Sequence, residues 1–197
     1  MCHAVEVRVI NVCPSSAFTD LETEAWYHPY TDAVIRDGLM KGISESLFAP
    51  NANMNRAQLV TILYRMAGCP EVTEAAPFED VSADGFYTSA VAWAYAEGIA
   101  KGVSSKLFAP DADVTREQMV TFFARYAAVI GEDTTANGDL SAFADSGDVS
   151  AFARNAMIWA VENGLIQGVD ANTLSPRGCA TRVQAAAMLV RFAENIS

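Results

Sequence analysis

Across 197 residues the chain carries 24 acidic against 13 basic side chains, and the formal net charge of −11 disfavours non-specific binding to nucleic acid or an anionic membrane, which need a basic face. A hydrophobic content of 51%, 10% aromatic residues and only 7 prolines allow a packed core and argue against disorder over most of the length. No apolar run approaches the roughly 18–20 residues of a membrane-spanning helix, so neither a membrane nor a nucleic-acid partner is expected.

Residues 1–17 alternate valine with polar groups through Val5, Val7 and Val9, as the last strand of a preceding domain would; an unstructured segment fits equally. The opening MCHAVEVRVINVC lacks the charged start, apolar centre and small-residue cleavage site of a signal peptide. An exported form is therefore expected to be a mature piece, or a fragment of something longer. Cys2 and Cys13 are compatible with an extracellular disulfide or with two unpaired thiols. The cysteines at 2, 13, 69 and 179 form no C-x-x-C pair, and beside them stand only His3 and His28. No zinc-ligand spacing results, and no metal or cofactor is expected.

From residue 18 onward one pattern recurs three times. Repeat one (18–67) carries Phe18–Asp20, Gly38–Gly42, Leu47–Pro50 and Asn55–Gln58; repeat two (78–127) carries Phe78–Asp80, Gly98–Gly102, Leu107–Pro110 and Thr115–Gln118. Repeat three (143–194) carries Phe143–Asp145, Gly164–Gly168, Thr173–Pro176 and Thr181–Gln184. Arg56, Arg116 and Arg182 are spaced by 60 and then 66 residues, and Pro50, Pro110 and Pro176 by the same steps. The connectors, 68–77 and about 129–142, are acidic and rich in turn residues.

Each repeat reads as two helices. The first runs over about 26–37, placing Trp26, Tyr30, Ala33 and Val34 at helical spacing, with Phe86, Ala90 and Trp93, then Phe152, Ala156 and Trp159, as counterparts. Gly38, Gly98 and Gly164 follow the last apolar turn, where a left-handed residue ends a helix. The second helix opens after Asn55, Thr115 or Thr181 and buries Leu59, Val60, Ile62, Leu63 and Met66, or their equivalents. Two short helices cannot bury such a stripe alone. The expected fold is therefore all-α: three helix-loop-helix repeats packed as a pseudo-threefold bundle.

The second helices start with a capping box, since Gln58, Gln118 and Gln184 stand three positions after the cap residues. Between cap and glutamine sits an arginine, at the helix end where a cation is disfavoured by about 0.3–1 kcal/mol. Two readings remain open for Arg56, Arg116 and Arg182. In one they form anion sites with free helix N–H groups, suited to a carboxylate or phosphate; in the other they pair internally with Asp20, Asp80 and Asp145. A second series, Arg65, Arg125 and Arg191, lies nine residues on, facing away from the first, and reads as structural. Gly42, Gly102 and Gly168 fit either an ordinary turn or close approach to a ligand. Trp26, Phe86 and Phe152 fit either core or sugar stacking.

The order F-x-D, helix, G-[LI]-x-x-G, [LT]-[FL]-[AS]-P and [TN]-R-x-Q resembles the S-layer homology repeat, over roughly residues 18–194. The resemblance implies a three-repeat pseudo-trimer with grooves between neighbouring repeats. It also implies extracellular, non-covalent anchoring of a larger surface protein to the bacterial cell wall. The implied partner is secondary cell-wall polysaccharide, often bearing pyruvate ketals. It further implies that Arg56, Arg116 and Arg182 recognise the carboxylate, supported by Asp20, Asp80, Asp145 and the second glycines. The chain departs from the family pattern at Asn55, at glutamine for glutamate in all three copies, and at Ser175 and Gly178–Ala180 in repeat three. The rival reading is an all-α scaffold for another protein. An enzyme is not expected, because no acid/base pair, Ser-His or Cys-His constellation is recognisable in the sequence.

Overall fold

The structure, a computed structural model, describes residues 13–196. The Cys2–Cys13 pairing and the strand considered for Val5, Val7 and Val9 involve residues outside that range. Among these residues six α-helices carry the fold: α1 (His28–Arg36), α2 (Arg56–Met66), α3 (Thr88–Ala96), α4 (Arg116–Val129), α5 (Arg154–Glu162) and α6 (Arg182–Ile196). Among the described residues extended backbone is limited to isolated bridges. The fold is all-α, as the repeat pattern predicts.

The odd-numbered helices stop at the expected place. Gly38, Gly98 and Gly164 hold φ of 69°, 70° and 67°, which a Cβ penalises and which lets the chain leave the helix. Their starts come later than the spacing predicts. Trp26, Phe86 and Phe152 precede the first helical turn and therefore leave the apolar stripe; they are 58%, 70% and 59% exposed.

Each long helix packs on the short helix of the following repeat: α2 on α3, α4 on α5, and α6 back on α1. The stripe of the second helices fills the centre, where Leu59, Leu63, Met119, Phe123, Leu189 and Phe192 are buried. The rings of Phe123 and Phe192 stack across α4 and α6 with centroids 5.3 Å apart. Each such side chain contributes about 1.5–3 kcal/mol by leaving water.

A small backbone triangle ties the three repeats together just ahead of the long helices. Met54 N–H donates to the Ala180 carbonyl (2.9 Å), Ala180 N–H to Val114 (3.1 Å) and Val114 N–H to Met54 (2.8 Å). The next donors also cross between repeats. Arg56 and Ala57 N–H bond the carbonyls of Ala112 and Pro110, Arg116 and Glu117 those of Gly178 and Pro176, and Arg182 and Val183 those of Ala52 and Pro50. The helix N–H groups expected to be free for an anion are thus already paired with a neighbouring repeat.

The third donor of each long helix is capped from within. Asn55 Oδ1 accepts from Gln58 N–H at 2.8 Å, whereas the Thr115 and Thr181 hydroxyls accept at 3.3 and 3.4 Å. Asn55→Ala should therefore cost about 1–2 kcal/mol, towards the upper end for a lost cap, and Thr181→Ala about 0.5–1 kcal/mol. Urea unfolding of the two variants checks the order.

Candidate functional site

The site is built from two loops and two helices per groove, and its rigidity starts at Asp20, Asp80 and Asp145. Asp20 accepts from the N–H groups of Phe48 (2.8 Å) and Ala49 (2.7 Å), one carboxylate oxygen each. Asp80 does the same for Phe108 and Ala109, and Asp145 for Leu174 and Ser175. The clamp holds Ala49, Ala109 and Ser175 at φ of 60°, 59° and 53°. A non-glycine residue adopts that left-handed geometry at a cost of roughly 1–2 kcal/mol, which the paired hydrogen bonds offset.

The same loops receive the arginines, always from another repeat. Arg182 donates Nε–H to the Phe48 carbonyl (2.8 Å) and Nη2–H to that of Lys41 (2.6 Å). Arg56 bonds the carbonyls of Phe108 and Lys101 in the same way, and Arg116 bonds that of Leu174 through Nε (2.7 Å). The expected aspartate–arginine relation therefore runs through a single residue: Asp20 holds the N–H of Phe48, whose carbonyl holds Arg182. Arg56 and Arg182 also lie over the rings of Phe108 and Phe48, each 4.6 Å from the centroid. These contacts draw the guanidinium away from the positive end of its own helix, which explains how arginine is tolerated there.

Burial is the largest influence on all three. It pushes the Arg116 guanidinium down to about 10, with Asp145 opposing and Arg191 adding to the shift. Burial likewise lowers Arg56, against the pull of Asp80 and with a further push from Arg125, and lowers Arg182 against the pull of Asp20. The two arginine series meet in space. Arg125 and Arg56 repel each other, as do Arg191 and Arg116, although on any one helix the two series diverge.

Two open grooves follow from this convergence. One, of 230 Å³, is lined by Lys41 and Gly42 of repeat one, Arg65 of α2, Arg182 of repeat three and the exposed Phe86 of repeat two. The other, of 310 Å³, is lined by Gln167, Gly168, Arg116, Arg191 and the exposed Trp26. Each groove thus draws on all three repeats. By the repeat offset the remaining positions, Lys101, Gly102, Arg125, Arg56 and Phe152, form the third set. Among the described residues no carboxylate lines either open groove, in a chain whose net charge is −11.

Gly42 and Gly102 sit in tight loops. A Cβ on Gly42 would press on the Phe18 ring and lie 2.7 Å from the Leu47 carbonyl oxygen, and one on Gly102 would lie 2.5 Å from that of Leu107. The crowding comes from the chain itself, so the turn requires glycine whatever the groove holds. The grooves also differ. Arg116 makes no hydrogen bond through either terminal nitrogen among the described residues, whereas Arg56 and Arg182 each commit Nη2. Gln167 stands where the other repeats have Lys41 and Lys101. By sequence spacing alone Arg65 and Arg191 read as structural; nothing in one repeat reveals that they line a groove with the first series of another.

Comparison with known proteins adds to this geometry. The S-layer homology domain family matches residues 17–60, 77–120 and 142–186. The surface-layer 125 kDa protein of Lysinibacillus sphaericus is 32% identical over 98% of this chain and 16% of its own length. An amylopullulanase of Thermoanaerobacterium thermosulfurigenes is 27% identical over 90% of the chain and 9% of its own length. Exoglucanase XynX of Acetivibrio thermocellus is 26% identical over 91% and 16%. The chain therefore spans less than a fifth of each of these relatives.

Proposed function

The chain belongs to the S-layer homology domain family, and on that premise we propose that it anchors a larger surface protein to a bacterial cell wall by binding an anionic secondary cell-wall polysaccharide in its inter-repeat grooves. Family membership indicates a location at the cell surface. In this reading the module holds on to the wall without chemistry of its own, and any catalytic activity resides elsewhere in the whole protein. The observation that carries the finer reading is the charge of the grooves. In each groove two arginines from different repeats line one cleft to which no carboxylate of the described residues contributes, on a strongly acidic protein.

Holding two guanidinium groups together in a partly desolvated cleft is unfavourable until an anion neutralises them. A carboxylate such as that of a pyruvate ketal offers a planar acceptor for an arginine fork. Cavities of 230 and 310 Å³ stand at or below the lower end of drug-sized sites, about 300–1,000 Å³, and suit one acidic sugar residue. In this assignment Arg56, Arg116 and Arg182 take the carboxylate, and Phe86, Trp26 and Phe152 stack on the sugar face. Gly42, Gly102 and Gly168 shape the floor. Asp20, Asp80 and Asp145 act as positioning residues by fixing the loop that receives each arginine.

Retention of the chain on purified walls tests the reading. Retention is expected to fall when the secondary polymer is stripped and to fall comparably when its pyruvyl groups alone are removed. Equal retention after pyruvyl removal would overturn the carboxylate assignment. Gln167→Lys adds a third cation to the Arg116 groove and should tighten polymer binding about threefold to tenfold at low salt, the gain shrinking as ionic strength rises. Calorimetric titration at two salt concentrations reads that change.

A further inference from the structure

A second cluster lies at the outer face of α1. Cys13, which precedes a 3-10 turn over Pro14–Ala17, stands against two residues one turn apart on the helix. Its Sγ is 3.5 Å from His28 Nε2 and 3.3 Å from Asp32 Oδ1, while His28 Nε2 is 3.5 Å from Asp32 Oδ2. Of these His28 and Asp32 keep about a fifth of their side-chain surface in water, so an ion can enter. The segment is held in place by more than this contact. Ser15 N–H donates to Asp32 Oδ1 at 2.9 Å, and the buried Ser15 and Thr31 hydroxyls bond each other at 3.0 Å.

The cluster does not have the layout of a nucleophile and its base. In such a relay the carboxylate would orient the far ring nitrogen. Here thiol and carboxylate both face Nε2, and the buried Nδ1 has no hydrogen-bond partner among the described residues. Instead a thiol, an imidazole nitrogen and a carboxylate each offer a donor atom within 4.8 Å of the other two. We propose that Cys13, His28 and Asp32 form a binding site for a zinc-class divalent cation, which staples the segment ahead of repeat one onto α1.

The spacing suits that ion. Zinc bonds of about 2.3 Å to sulfur and about 2.0–2.2 Å to nitrogen and oxygen, at tetrahedral angles, put neighbouring donors roughly 3.3–3.6 Å apart. The observed separations of 3.3–3.5 Å fall in that range, with Asp32 presenting Oδ1 to the sulfur and Oδ2 to the ring nitrogen, so that rotation of its carboxylate brings one oxygen to a shared metal. A thiolate, an imidazole and a carboxylate together favour zinc over calcium or magnesium, which take oxygen ligands. On binding, the Cys13 thiol releases its proton to solvent and the thiolate takes the metal. Three protein donors leave the fourth position to water.

Cobalt(II) titration of the reduced full chain is the test. The expected result is one equivalent bound with a thiolate-to-cobalt charge-transfer band and tetrahedral visible bands. The spectrum should vanish in Cys13→Ser and bind cobalt at least tenfold more weakly in His28→Gln and Asp32→Asn. It should persist in Cys69→Ser, in Cys179→Ser and in the Cys2→Ser/His3→Ala double variant. Absence of the band, its survival in Cys13→Ser, or its loss in the double variant would overturn the site. Alkylation of the unsubstituted chain gives a readout independent of any variant's folding. Zinc should slow modification of Cys13 at least tenfold while the exposed Cys69 and Cys179 react unchanged, and equal rates at Cys13 would count against the proposal.

Discussion

Replacing Asp80 with alanine is expected to lower the unfolding free energy by about 2–4 kcal/mol, measured by urea denaturation followed by circular dichroism. The carboxylate accepts two backbone N–H groups at 2.8 and 2.7 Å, and charge-assisted bonds of this kind contribute about 1.5–3 kcal/mol each, less here because the aspartate is only half-buried. Without it Ala109 loses the support that keeps its φ at 59°, and the Phe108 carbonyl that receives Arg56 is free to turn. Asp80→Asn, of the same shape, retains one acceptor and should recover part of the loss.

The sign with pH follows from the same contacts. Desolvation works against ionisation of Asp80, but the bonds from Phe108 and Ala109 and the charge of Arg56 prevail and hold the carboxyl below its ordinary value. A depressed folded-state value means that the contribution is complete above the unfolded-state range near 3.9 and is lost as pH falls through the folded value. The unsubstituted protein should therefore lose more stability than Asp80→Ala when both are compared at neutral pH and below about pH 3.5. A parallel loss in both proteins would remove Asp80 from the account.

Exchanging Arg56, Arg116 and Arg182 together for lysine is expected to reduce retention on cell walls by about 10²–10⁴, whereas each single exchange should cost about tenfold. Lysine keeps the charge but not the planar fork, and it cannot serve the loop carbonyl and a carboxylate in the same geometry. The effect of the set exceeds that of its members because weak sites on one polymer multiply through effective concentration. Arg116→Lys should be the single variant with the largest effect on binding, since neither of its terminal nitrogens bonds a protein group among the described residues. Equal retention of the triple variant, with its urea midpoint intact, would dismiss the arginines as ligand-binding groups.

What the sequence disclosed was whatever depends on neighbours along the chain. The glycine that ends α1 at Gly38, the capping box at Asn55 and Gln58, and the buried stripe from Leu59 to Leu63 all follow from local spacing. The partner of each helix does not, because a repeat pattern is identical whether α2 packs on α1 or on α3. From that one ambiguity the other differences follow. The first N–H groups of the long helices were expected to be free, but loops of another repeat occupy them. Spacing allows an ion pair between the arginines and the aspartates without saying which partners meet, and in the structure Asp80 and Arg56 are linked through Phe108 across two repeats. Trp26 differs for a local reason, since α1 starts two residues later and leaves the indole on the surface. Cys13, His28 and Asp32 lie 15 and 4 residues apart, a spacing that signals nothing until the segment folds back on its helix.

The closure of α6 on α1 has a consequence for how such a molecule assembles and fails. An isolated repeat exposes the faces of both its helices and would have to meet two others at once, so its association would depend steeply on concentration. Joining the copies by connectors at 68–77 and 129–142 replaces that dilute encounter with an intramolecular one. Once the circle is closed, a single cut in either connector severs a covalent bond but none of the exchanged contacts. The nicked chain is held by the interfaces that held the intact one, and should migrate as one particle until denatured.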